Sequence, residues 1–235
     1  MEDKETRKQI ELDHVVKVFK SGNTTVRALG GINLKIDQGE FLVLYGPSGC
    51  GKSTLLNTLI GIEKPTRGEV WINGTNLYTL KEDDRSEYRA SKFGVVYQSQ
   101  NWIKSLNSKE NVALPLVARG VKFREAVDKA EKFMEELKIS ELLRQTPTQL
   151  SGGQQQKLGI ARALISNPKI IFADEPTGNL DSKSSNIVID FLMKINRDMK
   201  RTIILITHNP EYWDIGHRKI EMEDGKVIKD VKKNG

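Results

Sequence analysis

An α/β fold with a mostly parallel sheet, an N-terminal antiparallel β subdomain and an inserted α-helical subdomain is what these 235 residues predict. Three observations carry that reading. Short apolar runs bounded by Gly, Asn and Asp crowd the first third of the chain. A stretch from about Ser105 to Thr148 contains no strand-like run. Beyond it, apolar strands alternate with amphipathic helices, the pattern of a parallel sheet covered on both faces.

In chain order, "HVVKVFK", "GINLKID", "EFLVLYG" and "EVWING" read as strands, with Asn73-Gly74 and later Asp224-Gly225 suited to tight hairpin turns. "GKSTLLNTLIG" reads as a helix stopped by Gly61. In the helical insertion, Ala126, Ala130, Phe133, Met134 and Leu137 share one stripe. A helix over 152–166 follows, then the strand "KIIFADE", then a helix turning Val188, Phe191, Leu192 and Ile195 inward. The strand "TIILITH" and a terminal hairpin close the chain.

Composition is that of an ordinary globular protein, and the chain is long enough to bury a substantial core. The net charge of +6 is spread along the chain, with part of it in the C-terminal "KVIKDVKKNG". It therefore argues against a nucleic-acid partner and suits a protein resting near an anionic membrane surface. Cys50 is the only cysteine, which rules out an intrachain disulfide and a cysteine metal cluster. The N-terminus is charged and polar, unlike a secretory signal, and no apolar run approaches the ~20 residues that span a bilayer. The expected location is inside the cell.

"GPSGCGKST" (Gly46, Pro47, Ser48, Gly49, Cys50, Gly51, Lys52, Ser53, Thr54) matches G-x-x-x-x-G-K-[ST] between a strand and a helix. Its glycines let successive N–H groups face the β- and γ-phosphates of a nucleotide. Lys52 adds a point charge there, and the Ser53 hydroxyl is placed for Mg²⁺. A P-loop NTPase core is thus predicted. "IIFADEP" ends a buried strand in Asp174, a carboxylate able to hold Mg²⁺ through water. Glu175, next to it, can take a proton from the attacking water or orient it. Gln98 after "FGVVY" and His208 after "TIILIT" end strands in the same manner. Gln98 can ligate Mg²⁺ or hold water. His208 alone reads equally as a structural hydrogen-bonder or a catalytic group. Cys50 reads first as a small residue of the loop; the side reading is an exposed thiol near a helix N-terminus, whose modification would block nucleotide binding.

A second phosphate-ready helix start, Leu150-Ser-Gly-Gly-Gln-Gln-Gln156, lies a hundred residues on and has no lysine. With "GPSGCGKST", "LSGGQQQ" and "IIFADEPTGNLD" in this order, the chain resembles the ATP-binding subunits of ABC transporters from about Leu12 to Lys229. The resemblance implies one ABC ATPase domain over 1–235, with a helical subdomain at about 100–150 and a signature helix at 151–166. It implies that Phe19 stacks on adenine, that Gln98 is the Q-loop glutamine, and that His208 contacts the γ-phosphate. It further implies a head-to-tail homodimer, in which Ser151, Gly152, Gly153, Gln154 and Asp181 serve the nucleotide held by the partner's loop.

"DEPTGNLDS", "ENVALPL" and "PTQLSGGQQQ" look most like the lipoprotein-release and macrolide-export group (LolD, MacB and FtsE types). An integral membrane permease or mechanotransmission subunit, a place on the inner face of the cell membrane and Mg²⁺ with ATP are implied with it. Two departures stand out. Lys157-Leu158-Gly159 replaces the group's usual Arg-Val-Ala, and "YQSQNWIKSLN" lacks the usual Phe-Asn-Leu after the Q-loop. A non-transport ABC ATPase acting on nucleic acid or ribosomes and a regulatory ATP-binding module are the alternative readings.

Overall fold

Two long antiparallel strands lead the structure, a computed structural model describing residues 8–22 and 24–233. They are β1 (Lys8–Ser21) and β2 (Thr24–Asp37), each 14 residues long, twice the length that their apolar runs suggest. Register shifts around Leu12, Val15 and Val18 let the ribbon bend while Ile10, Leu12, Val15, Leu29, Ile32 and Ile36 stay buried. The chain divides into two units, Met1–Arg89 with Arg201–Gly235, and Ala90–Lys200.

In the first unit, β3 (Phe41–Tyr45) buries four consecutive residues, and α1 (Lys52–Leu59) follows it. Gly61, at φ +79°, ends the turn after α1. β4 (Arg67–Ile72) pairs antiparallel with β1 and, through the Asn73-Gly74 turn, with the short β5 (Thr75–Asn76). Both turn residues have positive φ, as a two-residue hairpin of that kind requires. A helix absent from the sequence reading, α2 (Glu82–Lys92), opens with Glu82, Asp83 and Asp84 against its positive end.

The second unit begins with β6 (Phe93–Val96) and builds its own core from α3 (Ser108–Ala118), α4 (Phe123–Glu136) and α5 (Gly152–Leu164). α3 is fixed at its start by a capping box between Asn107 and Glu110. Val112, Ala113 and Leu116 pack on Ala126, Ala130 and Met134, with Ile139, Leu142, Leu158 and Ala161. Phe133 and Leu137 from the predicted stripe are only half-buried at its flank. α5 stops at Leu164 rather than 166, because Asn167 turns to φ +56° and Pro168 follows. β7 (Ile170–Asp174) runs parallel to β6, with Val96 opposite Ala173. α6 (Ser182–Met199) buries Val188, Ile189, Leu192 and Ile195, while Phe191 is half-buried.

The chain then returns to the first unit with β8 (Thr202–Thr207), buried throughout, and the hairpin β9 (Arg218–Glu223) and β10 (Lys226–Lys232). β3 lies between β8 and β9, parallel to both. Parallel pairing thus holds β9, β3 and β8 in one unit and β6 with β7 in the other. Antiparallel pairing is confined to the N-terminal sheet and the final hairpin.

Asp37 ties both ends of the first unit together, accepting from Lys8 at 2.7 Å and from Lys232 at 3.0 Å. Burial pushes its carboxyl up, but the two ammonium groups outweigh that and hold it below the usual carboxylate range. A depressed carboxylate contributes stability above the unfolded value of about 3.9 and loses it as pH falls through the folded value. Asp37→Asn should therefore lower Tm at pH 7 and show a smaller further loss than wild type between pH 5 and pH 3, measured by thermal denaturation.

Candidate functional site

The loop after β3 is shaped by contacts too close for side chains. A Cβ on Gly46 would lie 2.4 Å from the Met222 carbonyl oxygen, and one on Gly51 would lie 2.5 Å from that of Ala28. Gly51 also has φ +104° and Gly49 +81°, conformations that L side chains rarely adopt. The turn between β9 and β10 braces the loop from behind. Gly225 N donates to the Cys50 carbonyl at 2.9 Å, and Gly30 N donates to the Gly225 carbonyl at 2.8 Å.

α1 starts here with no side-chain cap and no acidic residue in its first turn. Its free amides therefore face outward as an anion site. Lys52 is buried, and its ammonium donates to the Gly46 and Pro47 carbonyls at 2.7 and 2.8 Å. These bonds hold the ammonium inside the loop. Pro47, Ser48, Gly49 and Ser53 are exposed, Thr54 is half-buried, and a cavity of about 350 Å³ lies alongside. Val26, Arg27, Lys52 and Asp224 are among its lining residues. Phe19 is opposite Val26 in the β1–β2 ladder, 40% exposed, with Lys17 Nζ 4.9 Å from its ring centre. Cys50 is buried at 5% exposure, with Lys52 Nζ 3.9 Å from its sulfur, which agrees with a small packing residue and corrects the side reading of an exposed, modifiable thiol.

Strand register brings further predicted residues to sheet edges. Tyr45 is opposite Thr207, so His208, which is exposed, leaves its strand beside the start of the phosphate loop. In the second unit, Gln98 and Glu175 each come two residues after the paired Val96 and Ala173. Asp174 closes β7, and Glu175 is held at φ +46°, an uncommon backbone conformation that concentrates at functional sites. The Gln98 amide fills the place where Gly178 would carry a Cβ, 2.6 Å away, and donates to Asn179 Oδ1 at 3.4 Å.

The signature residues form a second cluster in the same unit. Ser151 caps α5 through reciprocal bonds with Gln154, accepting from its amide at 3.3 Å while Ser151 N donates to Gln154 Oε1 at 2.9 Å. Ser151 and Gly152 are exposed, and α5 has no acid in its first turn. A Cβ on Gly152 would meet Leu180 at 2.7 Å and one on Gly153 would meet Ser184 at 3.2 Å, so these glycines pack against the start of α6. Asp181 caps that helix, accepting from the Ser184 amide at 2.9 Å and its hydroxyl at 2.8 Å, bonds that hold its carboxyl below the usual range.

Two features escaped sequence reasoning. One is the bracing of the phosphate loop by Gly30 and Gly225, whose only sequence signal is a glycine in each of two distant strand–turn regions. The other is a polar network between residues 97–102 and α5, signalled by Gly159 in the interior of a helix.

A lysine-bearing glycine loop between a strand and a helix, at the edge of a parallel sheet, defines a P-loop nucleotide-binding protein. Residues 29–178 match the family model of the ABC transporter. The chain is 43% identical over 226 residues to the uncharacterized ABC transporter ATP-binding protein MJ1508 of Methanocaldococcus jannaschii, covering 95% of this chain and all of that one. It is also 43% identical to the macrolide export ATP-binding/permease protein MacB of Marinobacter nauticus, over 96% of this chain but 35% of that protein. The chain thus spans about a third of the length of its MacB relatives. Among solved structures, the dimeric post-hydrolysis state of the cassette MJ0796 bound to ADP and Pi superposes with a TM-score of 0.86 at 38% identity, covering 96% and 99% of the two chains. The chain belongs to the ABC transporter ATP-binding family and is an ATPase cassette of that family.

The two loop glycines separate space from backbone conformation. Gly49→Ala has open room and meets only the strained φ, which costs about 1–3 kcal/mol. Gly51→Ala meets the same strain plus the Ala28 carbonyl. Gly51→Ala should lower Tm further than Gly49→Ala and abolish ATP binding, as read by calorimetry and nucleotide titration.

Proposed function

We propose that the chain is the ATP-hydrolysing motor subunit of an export or mechanotransmission system, working as a homodimer with two ATP molecules between the subunits. The observation that carries this reading is the exposed, acid-free N-terminus of α5 at Ser151 and Gly152, an anion site whose first turn brings no cation. Lys52, the first residue of α1, supplies the charge that such a site lacks, provided a second copy places its own loop there. The relative MJ0796 is dimeric in its solved structures, which supports the same arrangement here.

In this reading Gly46–Thr54 amides and Lys52 hold the phosphates, and Phe19 stacks on adenine beside the cavity that Val26 lines. Ser53, Gln98 and Asp174 offer the hard oxygen donors that suit Mg²⁺, which relies on phosphate oxygens and water more than on an all-protein cage. The ion would offset charge on the transferring phosphoryl group. Glu175 accepts the proton of the attacking water, and His208 steadies the γ-phosphate from the next strand. Ser151, Gly152, Gly153, Gln154 and Asp181 complete the partner's site.

The work goes to a membrane protein. No helix among the described residues is long and apolar enough to cross a membrane. The MacB relatives, named as ATP-binding/permease proteins, carry in one chain about three times the length found here. The printed name of those relatives, ATP-binding/permease, supports an integral membrane permease or mechanotransmission partner, through which this chain sits peripherally on the inner face of the membrane. The irregular stretch around and after Gln98, where Tyr97 and Ile103 are exposed, is the surface offered to it.

Specific ATPase activity should rise with protein concentration, since each site needs two chains. A specific activity that stays constant over a hundredfold dilution series would sink the two-chain site. Lys52→Ala should weaken ATP binding by about 10- to 100-fold or more, the worth of a charged hydrogen-bond partner, in equilibrium titration. Ser151→Arg should leave that titration unchanged and remove hydrolysis.

A further inference from the structure

Residues 98–107 form neither helix nor strand, yet side chains of two helices satisfy their backbone. Gln156 Nε2 donates to the Gln98 carbonyl at 2.7 Å, and Arg162 Nη1 donates to the Asn101 carbonyl at 3.2 Å. At the far end, the fully buried Asn111 of α3 accepts from Ile103 N at 3.0 Å and donates to three carbonyls of the stretch at 3.0–3.1 Å.

Gln100 is the centre of this network. Its Nε2 donates to the Tyr97 carbonyl at 2.7 Å and to Gln156 Oε1 at 3.2 Å, and its Oε1 accepts from Arg162 Nη2 at 2.7 Å. The amide rests on the bare face of Gly159, where a Cβ would come within 2.6 Å of its carbon and nitrogen. Arg162 also sits over Trp102, its guanidinium carbon 4.2 Å from the ring centre, and Trp102 Nε1 donates to Gln155 Oε1 at 3.2 Å. All the α5 partners lie on the helix that Ser151 caps, whose 13 residues span about 20 Å.

We propose that Gln100 and Arg162 are positioning residues for ATP hydrolysis, clasping the segment that bears Gln98 to the signature helix across the gap left by Gly159. A displacement of residues 97–102 is thereby carried along α5 to Ser151. This rests on the two-chain site described above, in which Gln98 and Ser151 both serve nucleotide. The two departures noted in the sequence, Gly159 and the polar run after Gln98, are then one feature. An alanine at 159 and the Gln100 amide cannot share the same space.

The test compares wild type, Gly159→Ala, Gln100→Ala and the double variant in steady-state ATPase assays with Mg-ATP, at several protein concentrations, together with thermal denaturation. Gly159→Ala displaces the end of a flexible side chain, and the gain from a better helix former offsets part of the lost Gln100 hydrogen bonds, so Tm should fall only modestly. Each single variant should lower kcat by about tenfold or more, the scale of a small misplacement, with KM for ATP within about twofold. The double variant should be no worse than the worse single one, because both break the same clasp. Wild-type kcat in Gly159→Ala, multiplying losses in the double variant, or a loss confined to KM would overturn the clasp. If Gly159→Ala does not fold, Gln100→Ala alone decides by the same split. A wild-type specific activity independent of protein concentration overturns the two-chain reading itself, and with it the transmission to Ser151.

Discussion

Everything in the first unit that bears on phosphate depends on a backbone junction from which side chains are excluded. The Ala28–Gly30 segment of β2, the loop at Cys50 and Gly51, and the hairpin turn at Gly225 approach one another at hydrogen-bond distance. Because the loop is pinned from behind, its amides and the Lys52 ammonium are aimed before any ligand arrives. Such preorganisation is what makes fixed dipoles worth more than water to a developing charge. The parallel pairing of β3 with β8 then places His208 beside the loop through backbone register alone.

The second unit solves a different problem, presenting strand ends and helix starts from one compact unit. Gln98 and Glu175 leave adjacent parallel strands, while Ser151 and Asp181 begin two helices whose starts pack through Gly152 and Gly153. The starts of α5 and α6 are closed by the Ser151 and Asp181 side chains. The signature therefore spends its serine on the cap and still exposes amides to an outside anion. That division of labour favours a ligand supplied by another subunit.

Much of this was legible in the sequence because the relevant signals are local. The glycine spacing of Gly46–Thr54, the apolar runs ending at Asp174 and Thr207, and the Ala126–Ala130–Met134 stripe each report on a handful of adjacent residues. α2 was not legible because it buries no residue, so periodicity is silent and only its acidic first turn marks it. The length of β1 and β2 was hidden by bulges that interrupt the alternation of apolar residues. Burial of Cys50 and the contacts of Gln100 and Gly225 depend on residues tens to hundreds of positions away, which no window of sequence contains.

The central claim is that two copies share each nucleotide, and light scattering on Glu175→Gln tests it most directly. That variant keeps the phosphate loop and removes the proposed base, so bound ATP should persist. The account predicts a shift from 26.5 kDa to about 53 kDa, the mass of a two-fold dimer, on adding Mg-ATP at moderate salt. A mass that stays at 26.5 kDa while ATP binding is demonstrated in the same sample would contradict it.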